Sequence, residues 1–190
     1  MTITMTNQKE FIFSKDAVTT LREFDKVFEE LFNRTWVVRG VEYNLAKMGW
    51  KRGYNTRKRA LGLCSYRRGF AGTVFISKSL LSLNLDKAYE FEDTIRHEIA
   101  HAIHAVLCGR SSHDYVWKSI CREIGADDSR LHEGFLETPK GKYTLKCGTC
   151  NYQSEYHRKP TRRKACSGCC NKHSHGRFDP RFELQLTQNY

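Results

Sequence analysis

Apolar residues at Ala17, Val18, Leu21, Phe24, Val27, Phe28, Leu31 and Phe32 recur three and four apart, with Arg22, Glu23, Asp25, Lys26, Glu29 and Glu30 between them. This spacing predicts an amphipathic helix that lays one face on a core, capped near Ser14 or Asp16. The pattern then shortens. Residues 36–41, 47–50, 60–66 and 73–77 read as extended segments punctuated by Gly40, Gly49, Gly53, Gly62, Gly69 and Gly72, and predict three or four short antiparallel strands. Residues 80–85 form an apolar connection. Helical spacing returns over 92–107, with an apolar back of Ile95, Ile99, Ala102, Ile103 and Val106. Glu90, Glu92 and Asp93 stand before it, where negative charge suits the positive end of a helix, and Cys108-Gly109 closes it. After a loop at 110–113, Val116, Trp117, Ile120, Cys121 and Ile124 mark the buried face of a second helix over 114–125. Pro139-Lys140-Gly141 is the expected linker between a unit at 1–138 and a smaller module at 139–190.

Composition narrows the picture. At 190 residues the chain can build one good core and an accessory module. No run approaches the roughly 18 apolar residues of a membrane span, and the first ten residues lack a basic start followed by an apolar stretch. A cytoplasmic or nucleoid-associated protein is therefore expected, not a secreted or membrane one, acting as a monomer. The formal net charge of +11 is uneven. From Pro139 onward eleven Lys and Arg face only Glu155, Asp179 and Glu183. Concentrated positive charge favours a polyanion, because each neutralised phosphate releases a condensed counterion, and nucleic acid is the commonest such partner.

The chemistry lies in two clusters. His97-Glu98-Ile99-Ala100-His101 falls within the predicted helix, so the two imidazoles, four apart, share a face and can grip one Zn²⁺. Glu98 would then act as the general base on water in an open coordination position. A third protein ligand is needed, and His104, His113 and Glu123 are the options. His104 lies seven residues after His97, roughly 10 Å of helical rise, too far for both to bind one ion. His113 can fold back after a short turn and is the expected ligand; Glu123, on the following helix, is the alternative. Tyr115 and His104 are conceivable oxyanion donors, with nothing in the spacing to assign either.

The second cluster, Cys147-Gly-Thr-Cys150 and Cys166-Ser-Gly-Cys169, is a pair of CxxC knuckles expected to hold a structural Zn²⁺ in a zinc ribbon. Cys170 competes with Cys169 for the fourth place. Residues 142–145 and 151–156 should form the ribbon's hairpin. Cys64, Cys108 and Cys121 are expected to be buried free thiols. Between the knuckles, Arg158, Lys159, Arg162, Arg163 and Lys164 follow Tyr152 and Tyr156, and a second basic run contains Lys51, Arg52, Arg57, Lys58 and Arg59 around Tyr54. Cations beside rings on which bases can stack suit a sequence-tolerant nucleic-acid binder, and these ten residues are the candidate contacts.

With these residues in place the chain resembles the SprT-like metallopeptidases, a group that includes bacterial SprT and the protease domain of Spartan. The resemblance covers the N-terminal helix, a small sheet ending in Thr73-Val-Phe-Ile-Ser77, the His97-to-Ala102 helix, the distal His113 and the C-terminal zinc ribbon. It implies an α+β fold, a minimal zincin-like metallopeptidase domain with helices and a small antiparallel sheet, followed by the ribbon. It also implies His97, His101 and His113 as ligands, Glu98 as base, and Cys147, Cys150, Cys166 and Cys169 as ribbon ligands. Family members usually carry glycine after the third histidine, where this chain has Asp114. Recruitment by a Spartan-type C-terminal tail is not expected. The expected function is a zinc endopeptidase, with one catalytic and one structural zinc, acting on proteins bound or crosslinked to DNA, single-stranded DNA included. The competing reading is a non-proteolytic nucleic-acid-binding regulator or recruitment factor whose zincs are structural.

Overall fold

The structure, a computed structural model, describes residues 11–14, 19–129 and 136–190. It divides into two compact units, Met1–Thr138 and Pro139–Tyr190. The first unit runs α1 (Leu21–Asn33), β1 (Trp36–Val38), β2 (Val41–Tyr43), β3 (Lys51–Asn55), β4 (Gly62–Ser65), β5 (Thr73–Ser77), α2 (Lys78–Leu81), α3 (Ala88–Cys108) and α4 (Tyr115–Ile124).

Helix α1 starts later than its apolar pattern suggests. Thr20 is the N-cap: its hydroxyl accepts the Glu23 N–H while the Glu23 carboxylate accepts the Thr20 N–H at 2.8 Å, a reciprocal capping box. Of the expected caps, Ser14 lies outside the helix, and Asp16, with Ala17 and Val18, falls outside the described residues. Phe24, Val27, Phe28, Leu31 and Phe32 are buried, as their spacing requires.

The segment expected as one strand at 36–41 is a hairpin, β1 against β2, because Arg39 and Gly40 both take positive φ and turn the chain after Val38. Residues 47–50, expected to be extended, form a turn instead. The Asn44 side chain accepts the Lys47 N–H, and Gly49 at φ +81° lets the Trp50 N–H reach Leu45 O. Strand β3 therefore begins at Lys51, and the first part of the second basic run, Lys51–Asn55, is itself strand.

The central sheet has the order β3-β5-β4. β4 pairs with β5 antiparallel, but β3 pairs with β5 parallel, which corrects the all-antiparallel expectation. Alternation encodes which face is buried and not which way a neighbour runs. Thr73–Ser77 is the most apolar of the three strands, with Val74 and Ile76 fully buried, and it takes the centre where both of its edges are paired. The glycine-bearing β3 and β4 are left on the edges.

Helix α3 packs on this sheet and on α1 through Phe91, Ile95, Ile99 and Ile103. It begins four residues earlier than expected, so Glu92 is not a charge at its terminus. Glu92 is fully buried, accepts the N–H groups of Ile12 and Phe13 at 2.8–3.0 Å, and pairs with buried Arg96 at 2.9 Å. Arg96 also donates to Ile124 O. A buried charge must be paired and hydrogen-bonded, and this pair ties the segment at 11–13 and the end of α4 to the helix that carries the histidines. Val106, expected on the apolar back, is partly exposed, and so is Cys108, where a buried thiol was expected. Cys64 is half-buried and Cys121 buried. Among the described residues, no helix is long and apolar enough to cross a membrane.

The second unit contains β6 (Tyr143–Lys146), β7 (Gln153–Tyr156), α5 (Ser167–His173) and β8 (Gln185–Gln188). β6 and β7 form the expected antiparallel hairpin. β8 adds a third strand on the other side of β6, and its polar composition, Gln-Leu-Thr-Gln, gave no strand signal. The core of this unit is small: Leu145, Cys147, Cys166, Cys169, Cys170, Phe182 and Leu184.

Candidate metal centre

One turn of α3 separates His97 from His101, and the two rings project from the same face with centroids 4.9 Å apart. His113 arrives from the turn before α4. Its Nε2 lies 3.2 Å from His101 Nε2, and ligand nitrogens of all three histidines fall within 4.8 Å of one another. Beneath them lies Trp117, fully buried, with ring centroids 4.8, 4.9 and 4.5 Å from His97, His101 and His113. The sequence pattern marked Trp117 as a core residue of α4; its position also makes it the floor under three imidazoles.

The turn that delivers His113 is held at both ends. Asp114 caps α4, its Oδ1 accepting the N–H groups of Val116 and Trp117 at 3.0 and 3.1 Å, and its Oδ2 accepts the Ser112 hydroxyl at 2.7 Å and Arg110 at 3.0 Å. This explains an aspartate following the third histidine: it starts the next helix. His104, the rejected ligand, is fully buried with Nε2 3.3 Å from Asp114 Oδ1, which also removes it as an oxyanion donor. The other ligand option, Glu123, instead accepts the Arg39 N–H at 2.7 Å and the Ser119 hydroxyl at 3.1 Å. Tyr115 is largely exposed. The Ser111 hydroxyl stands 2.8 Å from His101 Nδ1. That contact leaves Nε2 as the nitrogen facing His113, and an outer partner of this kind fixes ring orientation in metal-binding histidines.

Glu98 sits beside the histidines at the wall of a cleft shared with Gly62, Leu63, Cys64, Ser111 and Ser112. A Cβ on Gly62 would lie 2.6 Å from both Cγ and Oε1 of Glu98 and 2.8 Å from Thr94 Cγ2, so only glycine allows β4 to approach this close. The Cys64 backbone N–H donates to the Glu98 carboxylate.

Burial sets the electrostatics. It pushes the Glu98 carboxyl up to about 7, opposed by the Cys64 N–H and the charge of Arg57. Burial, reinforced by neighbouring imidazoles, holds His97 down to about 4 and His101 down to about 3, so both rings are neutral at physiological pH, the form that ligates metals. Burial and the Glu98 charge push the Cys64 thiol up to about 12, which keeps it protonated.

In the second unit the thiols of Cys147, Cys150, Cys166 and Cys169 also lie within 4.8 Å of one another, with Cys147 Sγ 3.9 Å from Cys169 Sγ and Cys150 Sγ 3.6 Å from Cys166 Sγ. Cys170 is buried outside this group. N–H groups of Thr149 and Cys150 point at Cys147 Sγ and hold its thiol down to about 6. The four-cysteine and three-histidine groups both fit zinc in donor type and spacing.

The basic candidates are dispersed. Arg52 is bound to Asp25 at 2.7 Å and lies 3.6 Å from Glu29, and Arg163 is paired with Glu183, so both serve the fold. Lys164 lies over the Tyr156 ring and 3.2 Å from its hydroxyl. Lys51 opens β3, while Arg57, Lys58 and Arg59 occupy the loop that enters β4. Arg158, Lys159 and Arg162 are exposed in the loop between β7 and Cys166.

Gly62, the Cys64 N–H, Ser111 and Trp117 escaped the sequence reading of the site. Trp117, four residues after His113 on an amphipathic helix, is the one with a signal that could have flagged it. A family model described as the SprT-like family matches residues 22–137. No curated protein and no solved structure matches the chain.

Proposed function

The chain belongs to the SprT-like family, a metallopeptidase-type family, and from that premise we propose that it is a zinc-dependent endopeptidase acting on proteins bound or crosslinked to DNA. The observation that carries the peptidase reading is the convergence of His97, His101 and His113 beside a buried Glu98 in one cleft. Zinc held by the three imidazoles would supply Lewis acidity toward a substrate carbonyl and toward the attacking water. Glu98 takes that water's proton on its carboxylate and returns it to the leaving amine; Trp117 and Ser111 keep the imidazoles in place; Gly62 and the Cys64 N–H fix the carboxylate.

The base must be ionised to accept a proton, so the rate rises with pH as Glu98 ionises. Burial, opposed by the Cys64 N–H and the Arg57 charge, sets that step near 7, and a cation held by the three histidines would favour the carboxylate further, so the ascending limb of kcat/KM falls at or below about 7 in a pH–rate profile. Gly62→Ala should lower kcat about 10²-fold while zinc content is unchanged, since a displacement of about 1 Å in a catalytic group has that scale of effect. Unaltered kcat would mean that Glu98 needs no such seat.

The DNA part of the proposal draws support from the net charge of +11 and from the exposed cations Lys51, Arg57, Arg158, Lys159 and Arg162. Holding protease and substrate on one polymer raises their effective concentration without a peptide recognition sequence. The test is incubation of the zinc-loaded protein with a histone-like substrate, with and without single- or double-stranded DNA, with and without a chelator. Cleavage that needs zinc and is stimulated by DNA is expected, with the stimulation lost steeply as salt rises. DNA binding without cleavage under any condition would establish a binding regulator instead, and a flat salt response would remove the basic residues from the reading.

A further inference from the structure

An apolar cavity of ≈ 300 Å³ opens at the C-terminal end of α3, lined by Met48, Trp50, Tyr66, Phe70, Ala105 and Val106. Its apolar mouth is wet: Phe70 is 64% exposed, Met48 41% and Val106 38%. Exposed apolar surface gathered around a concavity marks a place where something apolar binds.

Neighbouring stretches of the same segments line the cavity and the histidine cleft. On one wall the chain passes from Cys64 in the cleft to Tyr66 in the cavity; on the other it passes from Ser111 in the cleft to Gly109 in the cavity. Along the floor, Glu98, His101 and Ala105 are spaced three and four apart and share one face of α3. The segments run alongside one another, since Gly62 abuts Thr94 and Glu98, and Arg68 Nε would lie 3.7 Å from a Cβ on Gly109. Glu98 and Ala105 are separated by about 10 Å of helical rise, at about 1.5 Å per residue. An extended polypeptide covers that length in about three residues.

We propose that this cavity is a specificity subsite that takes a bulky apolar side chain, such as Phe, Leu or Met, about three residues from the cleaved bond of a protein substrate. The inference rests on the endopeptidase reading and adds to it a selectivity that DNA tethering alone does not supply. The apolar side chain leaves water and covers Phe70 and Val106, while the backbone of the substrate follows the cleft to the histidines.

The experiment scans Phe through an alanine-background peptide with a quenched fluorophore, using the zinc-loaded full chain. In parallel, binding of the same peptides to Glu98→Gln protein is followed by anisotropy. Phe at one position about three residues from the cut should raise kcat/KM about tenfold or more over Ala. Val106→Phe and Ala71→Phe, at two exposed positions that both line the cavity, fill it and should cut that ratio to about twofold or less, leaving the all-alanine peptide unaffected. Cleavage with no positional preference, or a preference that survives both filling variants, overturns the subsite and leaves the endopeptidase standing. Absence of cleavage together with Phe-selective binding that the filling variants abolish overturns the endopeptidase and leaves an apolar peptide site. Neither cleavage nor selective binding overturns both.

Discussion

Glu98→Gln should abolish proteolysis, lowering kcat by about 10³-fold or more, the upper range for a lost general base. The substitution keeps size and shape, and the amide oxygen can still accept the Cys64 N–H, so the cleft wall stays in place. Glu98 is not among the three histidines that gather for the metal, so zinc stoichiometry should equal that of the wild type. Stability supplies a second, independent readout. The folded carboxyl titrates near 7 against an ordinary value of 4.5. Raised folded pKa means that the metal-free protein is most stable with Glu98 protonated and loses that advantage as pH climbs from about 4.5 through about 7. At pH 8 metal-free Glu98→Gln should therefore unfold later than the metal-free wild type, by on the order of 3 kcal/mol, since one pKa unit corresponds to about 1.4 kcal/mol. At pH 4 the two should be nearly equal. Residual cleavage near the wild-type rate would remove Glu98 from the chemistry. An unchanged stability difference between pH 4 and pH 8 would remove its burial from the account.

What could be read from the chain and what could not separate along a physical line. The helices that carry the histidines were legible because amphipathic spacing is local: Ile95, Ile99 and Ile103 mark one face, and His97 and His101 stand on another. The pairing of knuckles was legible for the same reason, since CxxC spacing holds two thiols near one point whatever surrounds them. The seat of Glu98 was not. Gly62 precedes it by thirty-six positions and carries no side chain to signal a role; its requirement appears only when β4 lies against α3. Nor was the parallel pairing of β3 with β5, since the residue alternation that buries Val74 and Ile76 is the same in either direction. Glu92 misled for a related reason. Before a helix it would be a charge at the dipole's end; with the helix starting at Ala88, it becomes the buried partner of Arg96 and the anchor for residues 12 and 13. Charge runs were the least informative feature, because Arg52 and Arg163 proved to be held by carboxylates distant in the sequence.

Cys169→Ser and Cys170→Ser should differ sharply although the residues are adjacent. In the second unit four of the seven buried core residues are cysteines, and the remainder, Leu145, Phe182 and Leu184, bury too little apolar surface to hold residues 139–190 folded. The free energy of binding a structural zinc, about 10 kcal/mol or more in small zinc modules, is then the folding free energy of the unit. Cys169 Sγ lies 3.9 Å from Cys147 Sγ within the four-thiol group, and its loss would leave three thiols where a structural zinc would be held by four. Cys170 packs beside that group without joining it, so serine there exchanges a small buried hydrophobe for a hydroxyl, a loss of about 1–3 kcal/mol that bound zinc can absorb. The expected result for Cys169→Ser is one zinc fewer per chain by a colorimetric chelator assay and rapid proteolysis confined to residues 139–190. Cys170→Ser should keep both the zinc and the protection. The reverse pattern would make Cys170 the ligand and require the start of α5 to rotate, since successive residues of a helix point about 100° apart.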